Sequence, residues 1–185
     1  MKLIVGICGA TGAIYGIRVM EVLRQLDIET HLIITETGKK TIELETRYTI
    51  KAVESLAAEV HDNDNLAASV SSGSFKTDGM IIAPCSIKSL SAIANSYNAN
   101  LLTRAADVVL KENRKLILVV RETPLHLNHL RLMTKVLEVG GVIIPPMPAF
   151  YNKPKTIDDL VNQTVGKILD QFNIEHGLYT RWNGI

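Results

Sequence analysis

The sequence predicts a doubly wound α/β domain, a three-layer sandwich in which a mostly parallel sheet lies between two layers of helices. Three observations support this: short aliphatic runs recur along the chain, stretches with helical periodicity separate most of them, and a glycine-rich turn follows the first run. Strands that are apolar throughout are buried on both faces, which is typical of parallel sheets covered by helices on both sides.

The predicted strands come in a regular order along the chain. Aliphatic runs predict strands at residues 3–8, 30–35, 79–83, 116–120 and 142–144. The first ends in Gly9-Ala10-Thr11-Gly12-Ala13 and is followed by apolar residues at helical spacing. Residues 156–172 predict a helix, because a Thr-x-x-Asp cap signal precedes one broad apolar face. Together these elements predict a Rossmann-like or flavodoxin-like fold.

Size, charge and cysteine content narrow the class of protein. With 185 residues and 46% hydrophobic content, the chain fits a single domain spanning residues 1–185. A net charge of +1 with scattered charges argues against nucleic acid and anionic membranes as partners. The first apolar run is too short for a signal peptide or a membrane span, and Cys8 and Cys85 form no CxxC motif, so we expect a cytoplasmic location.

Polar turns follow several predicted strands, at the edge of the sheet where open α/β domains bind ligands. The spacing Gly6-x-x-Gly9-x-x-Gly12 differs from a dinucleotide fingerprint, so tight helix packing is an equal alternative to ligand contact. The turn Ser86-Ile87-Lys88-Ser89 offers hydroxyls and N–H groups, although Ser86 alone fits a plain helix cap. Thr35 and residues 71–75 would add donors to a neutral cradle for phosphate and ribityl groups. The first turn lacks a Walker lysine, which disfavours ATP.

Charged and aromatic residues near the same edge are further candidates. Arg121-Glu122 ends the fourth strand, so both side chains could emerge at the ligand-binding edge as an adjacent cation and acid. The alternative is that they form a surface ion pair. Residues 145–154 form a proline-rich loop whose Phe150-Tyr151 pair could roof an apolar substrate or serve a structural crossover. Arg104, Lys111 and Lys167 lie on predicted helices, where solvated cations are the default. The five histidines form no clear metal motif along the chain, so we expect no metal.

These stretches together resemble the flavin prenyltransferase family, formerly described as phenylacrylic acid or octaprenyl-hydroxybenzoate decarboxylases. The resemblance covers essentially the whole chain. It rests on the residues at 9–13, 72–75, 83–90, 104–112, 121–125 and 148–151.

The resemblance implies that the chain is a metal-independent FMN-binding enzyme. It would join the dimethylallyl group of dimethylallyl phosphate to N5 and C6 of reduced FMN. The residues expected to hold FMN are Gly9, Ala10, Thr11, Thr35, Ser86, Ile87, Lys88, Ser89 and Arg121. Tyr151 and Lys167 would bind the substrate phosphate, and the further active-site matches are Arg104, Lys111, Glu122, Glu45 and Trp182.

The same resemblance implies roles and an assembly. Fixed cations and the Tyr151 hydroxyl would stabilise the departing phosphate, and Glu122 would transfer protons. Family members are homododecamers with the flavin at subunit junctions, and they supply prenylated FMN to a separate aromatic-acid decarboxylase. Thr11 and Thr35 stand where the family usually has Ser, and Lys167 stands where Arg is common, which loses a bidentate contact to phosphate.

Three other functions remain open at this level. An FMN-dependent decarboxylase of the phosphopantothenoylcysteine type shares the predicted fold but carries a Pro-x-Met-Asn-x-x-Met-Trp loop, where this chain has Pro148-Ala149-Phe150-Tyr151-Asn152. A non-catalytic flavin carrier would bind FMN without reaction. A direct aromatic-acid decarboxylase would need an electron sink beyond the flavin, which the sequence does not indicate.

Overall fold

Six strands form one parallel sheet in the computed structural model, which describes residues 1–182 and residue 184. The strands are β1 (Lys2–Ile7), β2 (Glu29–Ile34), β3 (Glu59–His61), β4 (Gly79–Cys85), β5 (Lys115–Val120) and β6 (Val142–Ile143). The helices are α1 (Ala13–Gln25), α2 (Glu36–Glu45), α3 (Ile50–Glu54), α4 (Ile87–Ala94), α5 (Leu101–Lys111), α6 (Leu127–Glu138) and α7 (Ile157–Asp170).

The strand order is β3-β2-β1-β4-β5-β6, and each neighbouring pair is parallel. This is the order of Rossmann-type domains, so the predicted doubly wound fold is confirmed. The chain winds outward in one direction from β1 and in the other from β4. A crevice therefore opens between the carboxyl ends of these two strands, where such folds bind their ligands.

The five predicted strands are present with small shifts at their ends, and the prediction lacked β3. Thr35 leaves the ladder because it begins α2 as its N-cap residue. Strand β4 runs on through Pro84 to Cys85, with a shift in its register against β5. Strand β3 has three residues, of which only His61 is buried, so it lacks the aliphatic run that marked the other strands.

The sheet separates two hydrophobic cores. Alternate residues of each strand point to opposite faces, so Leu3 and Val5 join one core while Ile4 joins the other. The first core packs α1, α2, α3 and α7, and the second packs α4, α5 and α6. Burying one such aliphatic side chain contributes about 1.5–3 kcal/mol, so both helical layers are held mainly by these contacts.

The last helix begins where its cap signal predicted. The Thr156 hydroxyl accepts a hydrogen bond from the Asp159 N–H at 3.1 Å, and the Asp159 carboxylate accepts one from the Thr156 N–H at 2.9 Å. The helix ends at Asp170 rather than at residue 172, because Gln171 forms its C-cap. In the described part of the chain, no helix is long and apolar enough to cross a membrane.

Candidate active site

A cavity of about 720 Å³ lies beyond the carboxyl ends of β1, β2 and β4, at the crevice that the strand order creates. Its walls come from the turns after these strands, the loop after β3 and the segment leading into α5. Its lining residues include Cys8, Gly9, Thr35, Thr37, Asn63, Ser86, Lys88, Ser89, Asn100 and Thr103. Five of the nine residues predicted to hold the cofactor therefore share one cavity, namely Gly9, Thr35, Ser86, Lys88 and Ser89.

Two helices begin at the wall of this cavity. The Thr35 hydroxyl accepts a hydrogen bond from the Gly38 N–H at 3.0 Å at the start of α2. The Ser86 hydroxyl accepts one from the Ser89 N–H at 3.3 Å at the start of α4. Ser86 is therefore the N-cap residue of α4, which was the alternative to ligand binding that the sequence offered. Capping uses the oxygen as an acceptor, and the positive ends of both helix dipoles still face the cavity and favour an anion there.

Gly9 is the position where the first turn comes close to its neighbour. A Cβ on Gly9 would lie 2.4 Å from the Cβ of Thr37, well inside van der Waals contact. Any side chain here would push the β1–α1 turn away from α2 and change the cavity wall. Ala10 and Thr11 follow in the same turn but do not line the cavity, nor do Ile87 and Arg121.

Glu45 closes the same turn from the other side. Helix α1 begins at Ala13, and its N-cap residue Gly12 adopts φ 97° and has no side chain with which to cap the helix. The Glu45 carboxylate takes that place, accepting hydrogen bonds from the N–H groups of Gly12 at 2.7 Å and Ala13 at 3.3 Å. A negative charge at this end of α1 also favours the helix dipole. The structure thus gives this predicted active-site residue a clear role in shaping the glycine turn.

Cys8 is a wall residue that the sequence interpretation did not assign to the site. Its thiol donates to the Pro84 carbonyl at 3.0 Å and accepts from the Ser86 N–H at 3.4 Å. A hydrogen bond from the Cys85 thiol lowers the pKa of Cys8 to about 7, aided by Ser89 and Ser86 and opposed by burial. The same bond and complete burial raise the pKa of Cys85. Cys8 thus places a polarisable sulfur with a lowered pKa at the cavity wall.

The far wall of the cavity also escaped sequence analysis. Asn63 follows β3 and ties this loop to α5, because its backbone and side-chain oxygens accept from the N–H groups of Leu101 at 2.8 Å and Leu102 at 3.2 Å. Asn100 caps α5 together with Thr103 in a capping box. An isolated asparagine signals only a turn or a cap, so nothing in the sequence marked these residues as cavity walls.

Helix α5 carries a set of cations along one face. Arg104 donates to the Ser71 carbonyl at 3.2 Å and pairs with Asp107 at 3.2 Å, while Lys111 pairs with Glu112. Arg114, just after the helix, donates to the Phe75 carbonyl at 2.6 Å. Residues 71–75 therefore lie against α5. The prediction that they join the cradle finds no support, because none of them lines the cavity.

Arg121 and Glu122 follow β5 directly. The Arg121 N–H donates to the Cys85 carbonyl at 3.1 Å, which holds the ends of β5 and β4 together beside the cavity. The exposed Glu122 carboxylate accepts from the N–H of Thr123 at 2.9 Å. Within the described residues no ion pair joins Arg121 to Glu122, so the surface-pair interpretation is not realised.

An aromatic set gathers around the end of α7. Tyr151 and Trp182 meet edge to face with ring centroids 6.0 Å apart, and the Lys167 ammonium lies 5.2 Å from the centroid of the Tyr179 ring. A hydrogen bond with Tyr179 raises the pKa of Lys167, and the Tyr151 phenol adds to this effect. The two residues predicted to bind the substrate phosphate therefore share one neighbourhood, which also contains Trp182.

The α5 cations and the α7 aromatic set lie on opposite faces of the sheet. Helix α5 packs in the second core and α7 packs in the first, with the six strands between them. Neither set lines the cavity. A single chain thus forms the cavity but keeps Arg104 and Lys111 apart from Tyr151, Lys167 and Trp182.

Comparison with known proteins places the chain in a family. A family model described as Flavoprotein matches residues 1–169, so the chain belongs to the flavoproteins. It is 58% identical to flavin prenyltransferase UbiX from Thauera aromatica over 184 residues, which covers 100% of this chain and 95% of that protein. Within the flavoproteins, the chain is therefore a member of the flavin prenyltransferase family, and the resemblance is confirmed.

Two solved structures show the same backbone. AnUbiX (PadA1), in complex with FMN and dimethylallyl pyrophosphate, matches with a TM-score of 0.98 and 49% identity, covering 100% of this chain and 98% of that one. A dodecameric FMN-dependent UbiX-like decarboxylase from Escherichia coli O157:H7 matches with a TM-score of 0.98 and 51% identity over 100% of both chains. The fold and the crevice described above are therefore those of this family.

Proposed function

We propose that this protein is a flavin prenyltransferase, which joins the dimethylallyl group of dimethylallyl phosphate to N5 and C6 of reduced FMN. The observation that carries the proposal is the cavity at the β1–β4 crevice, bordered by two helix N-termini, in a chain with a full-length relative named for this activity. The AnUbiX structure, which holds FMN together with a prenyl donor, gives the same pairing of ligands.

The cavity suits FMN in size and in chemistry. A volume of about 720 Å³ lies within the range of small-molecule and cofactor sites. The starts of α2 and α4 offer N–H groups to a phosphate, and the hydroxyls of Thr35, Ser86 and Ser89 can bond to phosphate or ribityl oxygens. Lys88 adds one positive charge at the rim. Reduced FMN, when bound, supplies the two ring atoms that accept the prenyl group.

The prenyl donor needs positive charge around its phosphate. Lys167 and the Tyr151 hydroxyl, with Arg104 and Lys111, would stabilise the charge that develops as the phosphate leaves, so no metal is needed for this step. The rings of Tyr151 and Trp182 would shield an allylic cation from water and stabilise it through their π electrons. Glu122 would move the proton between substrate, flavin and phosphate.

A second subunit would complete this site. The α5 cations and the α7 set lie on opposite faces of the sheet within one chain, which supports a donor site in which they come from different subunits. Large apolar side chains are exposed on the single chain, among them Leu44, Phe150 and Ile157, as expected of surfaces that pack in an assembly. The E. coli relative is dodecameric, and we propose the same homo-oligomer here.

The product of this reaction is a modified cofactor, which implies a consumer. We propose that a separate aromatic-acid decarboxylase receives the prenylated FMN and that both proteins work in the cytoplasm. Family membership supports this partner. Incubating the cofactor-free decarboxylase with this protein loaded with prenylated FMN would test it, and failure of the prenylated flavin to appear in the decarboxylase would argue against it.

The decisive experiment is an anaerobic single-turnover reaction. The purified protein is incubated with reduced FMN and dimethylallyl phosphate, and the molecular mass of the extracted flavin is measured by mass spectrometry. A gain of one C5H8 unit establishes the transferase, and a parallel reaction with dimethylallyl pyrophosphate tells which donor is used. Bound but unmodified FMN with both donors would favour a flavin carrier or a decarboxylase.

A further inference from the structure

Two histidines and a glutamate meet on the neighbouring edge strands β2 and β3. The register pairs His31 with Glu59 and Ile33 with His61, and residues two apart on a strand share a face, so His31, Glu59 and His61 all project to the same side of the sheet. His31 Nδ1 lies 2.9 Å from His61 Nε2 and 3.4 Å from a Glu59 carboxylate oxygen. One ligand atom from each residue falls within 4.8 Å of the others.

The outer nitrogen of His31 is already held in the manner of a metal ligand. His31 Nε2 contacts the Glu29 carboxylate at 3.1 Å, and the same carboxylate pairs with the Lys2 ammonium at 2.8 Å. A carboxylate bonded to one ring nitrogen keeps the proton there and leaves the lone pair on the other nitrogen. Nδ1 of His31 therefore presents a lone pair toward His61 and Glu59.

Burial sets the character of this cluster. His31 and His61 are 3% and 7% exposed, whereas the Glu59 side chain is 56% exposed. The Phe75 ring packs edge-on against His31 with centroids 4.8 Å apart. The site is therefore closed on its inner side and open to solvent beside Glu59.

We propose that His31, His61 and Glu59 bind one divalent cation of the zinc type, with water as the fourth ligand. Ligand atoms of a tetrahedral zinc site lie about 3.3 Å apart. The two separations from His31 Nδ1, 2.9 Å and 3.4 Å, differ from this value by only a few tenths of an ångström, and the ligand atoms of His61 and Glu59 lie within 4.8 Å of each other. The cation would replace the hydrogen bond between the two rings. It would fasten the three-residue strand β3 to β2, two residues before Asn63 in the cavity wall.

This site departs from the expectation of no metal, for a definite reason. That expectation rested on the spacing of histidines along the chain, and His31 and His61 are separated by 30 positions. They meet only because β3 pairs with β2, and β3 was the strand that the sequence did not reveal. The proposal does not rest on the prenyltransferase activity, since none of the three residues lines the flavin cavity.

The test is a cobalt and zinc titration of tag-free protein that has been stripped with a chelator. We expect one Co²⁺ per chain with the visible absorption of a four- or five-coordinate site, displaced by one equivalent of Zn²⁺. At free zinc 100-fold above the dissociation constant, the melting temperature should rise by roughly 5–10 °C. Glu59→Gln, an exposed change that the fold should tolerate, and His61→Gln should each weaken binding at least tenfold.

A second histidine pair on the surface supplies the matched control. His126 and His129 begin α6 with ring centroids 3.5 Å apart, and His129→Gln should leave the cobalt spectrum and the affinity unchanged. The proposal fails if the wild-type protein binds no cobalt or zinc at micromolar concentration. It also fails if Glu59→Gln and His61→Gln bind as the wild type does, or if His129→Gln abolishes binding. Repeating the titration with FMN added should give the same result.

Discussion

The cavity proposed to hold FMN and the proposed prenyl-donor site are built in different ways. Consecutive strand-to-helix turns of one chain form the cavity, and their positions follow from the strand order. Of the groups that would act on the donor, Arg104 and Lys111 lie on α5 and Lys167 lies on α7, with Tyr151 and Trp182 near it, and the two helices pack on opposite faces of the sheet. The contrast suggests that cofactor binding is a property of the fold, whereas the transfer reaction is a property of the assembly.

The largest expected effect on the prenylation rate comes from removing the two lysines of the donor site, which we propose to come from different subunits. Lys111→Ala and Lys167→Ala should each lower the rate of FMN prenylation by about 100-fold or more, because each removes a cation from the departing phosphate. If the two lysines of one site come from different subunits, co-expressing both variants in equal amounts should restore about one quarter of the sites by random assembly. The measurement is the initial rate per bound flavin.

The control variant is Lys51→Ala, at an exposed lysine on α3. It should prenylate FMN at the wild-type rate, both alone and when co-expressed with the wild type. Activity of the co-expressed pair that stays as low as that of the single variants would mean that one chain supplies both lysines. In that case the separation by the sheet would have to be bridged by a rearrangement within the chain.

Glu122→Gln should separate proton transfer from binding. The amide keeps the shape of the side chain but cannot take up a proton, so prenylation should fall about 100-fold while FMN affinity stays within a factor of about two. Glu138→Gln, an exposed change on α6, is the matched control. Wild-type turnover by Glu122→Gln would remove this residue from the chemistry.

Gly9→Ala should damage the cavity without touching the donor site. The added methyl group would meet the Thr37 side chain at 2.4 Å, and relieving such overpacking typically costs about 1–3 kcal/mol, so FMN affinity should fall about tenfold or more. Gly177→Ala is the control, because a Cβ there meets nothing within 4 Å. Fluorescence titration of FMN gives both values. Equal affinities for the two variants would show that the turn is not part of the flavin site.

The sequence was informative where function coincides with a strand end or a helix cap. The turns at Gly9, Thr35 and Ser86 could be predicted as one edge of the sheet because parallel strands bring their carboxyl ends together. Asn63 and Cys8 could not, because a loop asparagine and a cysteine in a strand carry no signal of their neighbours. Strand β3 was missed for a similar reason: it packs one buried histidine rather than an aliphatic run.

The contacts that hold the segment after α7 against that helix can be measured through Asp170, and this variant has the smallest expected effect. Its carboxylate accepts from the Tyr179 hydroxyl at 2.5 Å, pairs with Arg181 at 2.7 Å and contacts His176 at 3.1 Å. These bonds tie the segment that leads to Trp182 onto α7. Asp170→Asn should lower the free energy of unfolding by about 1 kcal/mol, since the amide retains one acceptor oxygen but loses the charge. Glu175→Gln, an exposed change in the same segment, should have no such effect.

The pH dependence of this difference identifies the carboxylate as its source. Burial raises the pKa of Asp170, but the bonds from Tyr179, Arg181 and His176 outweigh it and lower that pKa overall. A carboxyl whose folded pKa lies below its unfolded value of about 3.9 stabilises the folded state above that pH, and the stabilisation is lost as the pH falls through the folded pKa. Urea unfolding should therefore show a constant gap between wild type and Asp170→Asn from neutral pH down to about 5, closing below about 4. A gap that persisted at low pH would mean that packing, and not the charge, holds the segment against α7.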